Sequence, residues 1–243
     1  MTQESEASTH RELPLAASHY PAWFARLPFA PWGWRELNLF GWPLLILTIA
    51  LASLASPWCW LAIFPFVLLG LVLYFFRDPP RRIPTAPGSI VAPADGVVVE
   101  ITRLDHDEFL RGPAVRIGIF LSVLNVHVNR APSAGRVVDL KYRPGEFISA
   151  TRPESSLRNE SMWIGFENEE GRRFAVRQIS GMLARRIVCM LKPAQAVTTG
   201  EKFGMIKLGS RTELILPAGD VRVDVRLGDK VCAGSKIIAH WTT

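Results

Sequence analysis

The chain has 243 residues, 49% of them hydrophobic and 21% charged, with a net charge of +6 and a mean hydropathy of +0.17. This excludes a disordered, collagen-like or disulfide-scaffold protein. Three Cys residues without a CxxC pair argue against a structural zinc site and a secreted stapled fold. The positive charge suits an anionic partner, either nucleic acid or acidic lipid.

Residues 1–36 read as a leader, polar at first and then aromatic and Pro-broken around Tyr20–Phe29, a texture that suits a membrane interface. From Leu37 to Phe76 there is no charged residue. A bilayer crossing takes about 20 apolar residues, so this run is long enough for two, with a break at Ser56-Pro57. The expectation is a membrane helical hairpin over 37–76, with helices near 39–55 and 59–76. The alternatives are a buried core hairpin, or one that dips into a single leaflet with Pro43 and Pro65 tilting or kinking it. Arg26 and Arg35 precede the run, and Arg77, Arg81 and Arg82 follow it. The positive-inside rule then puts both ends on the cytoplasmic side of the cell membrane.

Beyond about residue 83 the texture changes to short Val/Ile-rich runs between Gly, Pro, Asn and Asp turns. The run Val221–Leu227 alternates strictly, with Val221, Val223, Val225 and Leu227 on one face. About ten short strands predict an all-β domain over 83–243, sandwich-like or barrel-like, with one helical turn at 155–158. No GxGxxG or P-loop is present, and the basic residues form no strip with interleaved aromatics. Nucleotide and nucleic-acid binding therefore have no support.

Three segments carry candidate chemistry. Gly209-Ser210 lies between two predicted strands, and such a pair is ordinarily a turn. Asp95 precedes Gly96 in Ala92-Pro-Ala-Asp-Gly, which alone reads as a hairpin turn. His127 falls in a Val-rich predicted strand, where a lone His is more often a core or edge residue.

Taken together and in order, these segments resemble the phosphatidylserine decarboxylases in their short form. The resemblance runs from about residue 74 to the C-terminus. It includes Phe75-Phe-Arg-Asp-Pro-Pro-Arg, Ala92-Pro-Ala-Asp-Gly, the His127 segment, Gln178-Ile-Ser-Gly-Met and Phe203-Gly-Met-Ile-Lys-Leu-Gly-Ser-Arg. It implies an inactive proenzyme in which the Ser210 hydroxyl attacks the Gly209 carbonyl. The chain then divides into 1–209 and 210–243, which stay together as a heterodimer. Position 210 becomes a pyruvoyl group, the one cofactor implied, with no metal and no pyridoxal phosphate. That ketone would take the amine of phosphatidylserine as a Schiff base and act as electron sink while CO2 leaves. The resemblance makes His127 the general base and proton donor, with Asp95 orienting it or stabilising its cation. Longer family members carry a second His where this chain has Arg130. Either His127 serves both steps or another group takes one. Arg130 either binds the lipid phosphate or the serine carboxylate, or is a surface Arg. Arg185, Arg186, Asn159 and Glu160 lie in matching segments without an assigned role.

The stretch Leu227-Gly-Asp-Lys-Val-Cys-Ala-Gly-Ser-Lys-Ile-Ile-Ala is similar to the hammerhead hairpins of biotinyl and lipoyl carrier domains, without their modified Lys. This supports the mainly β architecture. It also keeps open a second class of function, a membrane-anchored β-domain acting as a binding or assembly module.

Overall fold

The computed structural model describes residues 27–152, 154–182, 186–207 and 209–242. Most of the leader, and Arg185, lie outside the described residues. Two apolar helices come first, Pro31–Ala52 and Trp58–Phe75, each long and apolar enough to cross a membrane. At 1.5 Å per residue they span about 33 and 27 Å. Pro43 sits in the first turn of the α-helical stretch Trp42–Ala52, after a π-turn at Leu37–Gly41. Pro65 follows a 3-10 turn at Trp58–Ala62 and lies in the first turn of Ile63–Phe75. Each Pro thus lies just after a change of helical winding, π to α for Pro43 and 3-10 to α for Pro65, and neither breaks its helix. Large apolar side chains such as Ile46, Ile49, Phe64 and Phe66 remain more than half exposed.

The remainder is mainly β, built around a curled half-barrel sheet. Eight antiparallel strands run in the order β13 (Lys230–Val231), β2 (Gly96–Asp107), β3 (Gly112–Leu121), β11 (Ser210–Pro217), β7 (Arg173–Ile179), β6 (Ser161–Glu167), β5 (Gly135–Arg143) and β9 (Ala196–Val197). Two three-stranded sheets complete it. One is β4 (Val128–Arg130), β10 (Lys202–Ile206) and β8 (Ile187–Cys189) around β10. The other is β1 (Ser89–Val91), β14 (Ile237–Trp241) and β12 (Val221–Val223) around β14. The core is apolar, with Ile117, Ile119, Ile164, Phe166, Phe174 and Leu214 wholly buried. The single helical turn is present at Ser155–Arg158.

Three local expectations change. The alternating run 221–227 is a strand only through Val223. Val225 turns into the core, but Leu227 is exposed. Asp95-Gly96 is not a hairpin turn, because β1 pairs with β14 and β2 pairs with β3. Finally, His127 lies just before β4 rather than within a strand.

Candidate active site

Period-two alternation along β11 sorts its side chains. Ser210, Thr212, Leu214 and Leu216 face the core, and Arg211 and Glu213 face the opposite side of the sheet. There Arg211 Nε donates to Glu213 Oε1 at 3.0 Å, Arg211 also pairs with Glu100, and Ser156 Oγ donates to Glu213 Oε1 at 2.7 Å. Gly118 opposite leaves room for the guanidinium, since a Cβ there would stand 2.6 Å from it. This buried network fixes the start of β11 and with it Ser210.

Ser210 is wholly buried, and its Oγ has no hydrogen-bond partner among the described residues. β10 and β11 belong to different sheets, so Ser210 does not follow β10 through a hairpin turn. Gly209 takes φ +62°, a left-handed conformation that costs other residues about 1–2 kcal/mol. Its carbonyl oxygen is pressed against Gly181, where a Cβ would sit 1.9 Å away. Only glycine allows that approach.

His127 is also wholly buried. Its Nδ1 lies 2.9 Å from the Asn125 carbonyl, which only accepts, so Nδ1 carries the proton and Nε2 holds a free lone pair. Nε2 has no partner. The ring lies against Phe75, centroids 4.4 Å apart. Burial pushes its pKa down to about 4, opposed by the Asn125 hydrogen bond and aided by the Arg77 charge. The imidazole is therefore neutral at pH 7.

Two observations bring His127 and Ser210 together. The Ile206 N–H donates to the His127 carbonyl, and only three residues separate Ile206 from Ser210. That tether limits the two backbones to about 14 Å. In addition, Asn129 Nδ2 donates to Thr212 Oγ1 at 3.1 Å, tying the next inward residues of β4 and β11.

Asp95 is not joined to His127. Its Oδ1 accepts from the Ala233 N–H at 2.8 Å and its Oδ2 from Arg81 at 2.7 Å. It thereby anchors the turn whose Pro93 carbonyl receives the Arg130 and Asn129 donors. Arg130 is buried, donating to Asp78 Oδ1 at 2.9 Å and to the Gly200 carbonyl at 3.1 Å. Sequence reasoning passed over Asn129, Gln178 and Gly181. Gln178 Nε2 donates to Asn129 Oδ1 at 2.9 Å, and its own Oε1 is an unpartnered buried acceptor. All three stand inside the segments quoted for the resemblance, but their roles depend on contacts between strands far apart in sequence. Glu160 is raised by burial, against the Tyr142 hydroxyl that donates to it. Among the described residues no group of His, Cys, Asp or Glu is placed to hold a metal ion.

The sequence pattern of phosphatidylserine decarboxylase matches residues 68–239. A phosphatidylserine decarboxylase proenzyme from Rhodopirellula baltica is 45% identical over 223 residues, covering 90% of each chain. The chain belongs to the phosphatidylserine decarboxylase family. Proenzymes of the same name from Desulfotalea psychrophila and Chlorobium chlorochromatii are 42% and 46% identical, covering 79% and 82% of this chain and 89% and 93% of their own. The family match begins within the second apolar helix and takes in Asp95, His127, Gly209 and Ser210.

The buried imidazole gives this decarboxylase-family chain a pH signature. Unfolded, the His127 pKa returns to about 6.5. Between that value and about 4 the unfolded chain binds the extra proton, so stability falls as pH drops. This one group withdraws up to about 3 kcal/mol by pH 4. Denaturant unfolding at pH 7 and pH 4.5 checks it, and His127→Gln is expected to reduce the difference. An equal acid loss in both proteins overturns the assignment.

Proposed function

We propose that this chain is a self-processing, pyruvoyl-dependent decarboxylase that converts phosphatidylserine into phosphatidylethanolamine and CO2. The observation that carries the reading is the buried Ser210 Oγ, unpartnered among the described residues, beside a left-handed Gly209 on a short connection that Ile206 ties to the backbone of His127, an imidazole with a free Nε2. A serine hydroxyl is a weak nucleophile until a base removes its proton. His127 Nε2 accepts that proton as Oγ attacks the Gly209 carbonyl, and the amide becomes an ester as the proton passes to the Ser210 nitrogen. Loss of the Cα proton of residue 210 expels the Gly209 carboxylate and divides the chain. Water then releases ammonia and leaves the pyruvoyl group. These residues fit the origin of such a group: the nucleophile and acyl donor are adjacent, the nucleophile buried and the acyl donor partly exposed.

The pyruvoyl carbonyl supplies an electron sink for the carboxylate's departing bond. His127, neutral at Nε2 and shielded by Phe75, relays the proton that the substrate's α-carbon receives. Asp95 acts by holding the 92–96 turn through Ala233 and Arg81. After the cut, 210–243 keeps β11 laddered between β3 and β7, so the two chains stay a heterodimer. The apolar helices seat the enzyme in the cell membrane, with Arg77, Arg81 and Arg82 on the cytoplasmic side.

The test is mass measurement and lipid turnover on the purified chain. Two fragments, 1–209 and 210–243, with CO2 release from phosphatidylserine are expected. An intact chain of 27.1 kDa with full activity refutes the mechanism. His127→Ala is expected to slow self-cleavage by about 100-fold or more, the usual scale for a lost general base, read as uncut chain on a gel against time.

A further inference from the structure

A crevice of about 640 Å³ lies between the two apolar helices and the turn at 122–125. Its size is that of a ligand site, within the usual range of about 300–1,000 Å³. Its walls are apolar, among them Leu39, Leu44, Leu71 and Leu124. Its charged groups are Glu36 and Lys207. Lys207 stands three residues before Ser210, and the wall residue Phe75 carries the His127 ring. The crevice therefore joins the apolar hairpin to the chemistry.

Lys207 is nearly buried and pairs with Glu36. Its ammonium has three donors, and Glu36 accepts one. Burial lowers its pKa, opposed by the Glu36 contact, and the Arg186 and Arg35 charges are near enough to lower it further. A buried cation with spare donors, flanked by two guanidinium groups at the edge of an apolar slot, matches an amphiphile with an anionic head and a hydrocarbon tail.

We propose that this crevice seats one acyl chain of a serine phospholipid and that Lys207 binds its phosphate. This inference rests on the decarboxylase reading and adds where the substrate is gripped. Selectivity for membrane lipid over a soluble serine phosphodiester then comes from Leu39, Leu71 and their neighbours.

Leu71→Trp and Leu39→Trp fill the slot from two walls. Both residues are more than half exposed, so neither change opens the core. Each is expected to lower the ratio of kcat/KM for dioleoyl- over dihexanoyl-phosphatidylserine tenfold or more, through KM for the long-chain lipid. A ratio equal to the parent's in both variants overturns the proposal. A second measurement uses the full-length parent chain in phosphatidylcholine vesicles with phosphatidylserine bearing a diazirine in one acyl chain. Labelling is expected to concentrate on 39–44, 68–76 and 123–124. Labelling as heavy at Ile49, Phe64 and Phe66, which lie outside the crevice, means a general lipid coat and overturns it. A parent that neither cleaves itself nor turns over the dihexanoyl lipid refutes the decarboxylase reading instead, and the labelling pattern still decides the crevice.

Discussion

Ser210→Ala is expected to give one uncut chain of 27.1 kDa that releases no CO2 from phosphatidylserine. The parent is expected to run as 1–209 and 210–243. The substitution removes one oxygen and no contact that the described fold uses, because Ser210 Oγ has no hydrogen-bond partner among the described residues. Replacing an unpaired buried hydroxyl by a methyl group leaves no orphaned donor or acceptor behind. Stability should therefore hold within about 1 kcal/mol, while activity falls to background. That separation makes the variant decisive. Loss of cleavage with an unchanged unfolding midpoint assigns the chemistry to Oγ, whereas cleavage that persists places the nucleophile elsewhere. The nearest rival is Ser180, at the end of the neighbouring strand, whose Oγ donates to the Glu160 carbonyl at 3.1 Å. Ser180→Ala is the matched control and should still cleave.

Much of the architecture was legible because its signals are local. The uncharged stretch 37–76 marks two helices, and the Val/Ile runs mark strands that the structure places within a few residues. The illegible parts are relations between distant segments. Asp95-Gly96 carries the local signature of a hairpin, but β1 finds its partner in β14 at the other end of the chain. No short-range pattern encodes that pairing. The run 221–227 keeps its alternation past Val223, but the strand ends there, after one last backbone bond from the Asp224 N–H to the Ile238 carbonyl. Likewise, a sequence cannot say that the Asp95 oxygens are taken by Arg81 and Ala233. The candidate site follows the same division. Ser210, Gly209 and His127 stand in motifs, and the short connection from Ile206 brings them near one another. Gly181 and Gln178 matter through what β7 and its following loop press against, which is visible only once β7 lies beside β11.

Arg130 leads to the second large effect. It is 6% exposed, and its guanidinium spans Asp78, at the exit of the second helix, and the Gly200 carbonyl, just before β10. Asp78 also receives Lys202. Removing one partner of a buried pair strands the other charge, at a cost of about 3–5 kcal/mol. Asp78→Leu, which strands the Arg130 guanidinium, is expected to lower unfolding free energy by about that amount, and Arg130→Met, which leaves Asp78 with Lys202, by less. The double variant Arg130→Met/Asp78→Leu should lose less than the sum of its parts, because the one charge left without its partner, Lys202, is half-exposed to solvent. Denaturant titration of the four proteins closes the cycle. Burial lowers the Arg130 pKa, countered mainly by Asp78, but a guanidinium remains charged throughout the working pH range, so the pair persists wherever Asp78 is ionised. A head-group role for Arg130 predicts a different pattern, with Arg130→Met raising KM while leaving the unfolding midpoint in place. The observed pairing favours the stability loss. It also gives the pair a mechanical meaning: Arg130 ties the exit of the apolar hairpin to the β4–β10 sheet, three residues from His127. A weakened pair should therefore also slow self-cleavage.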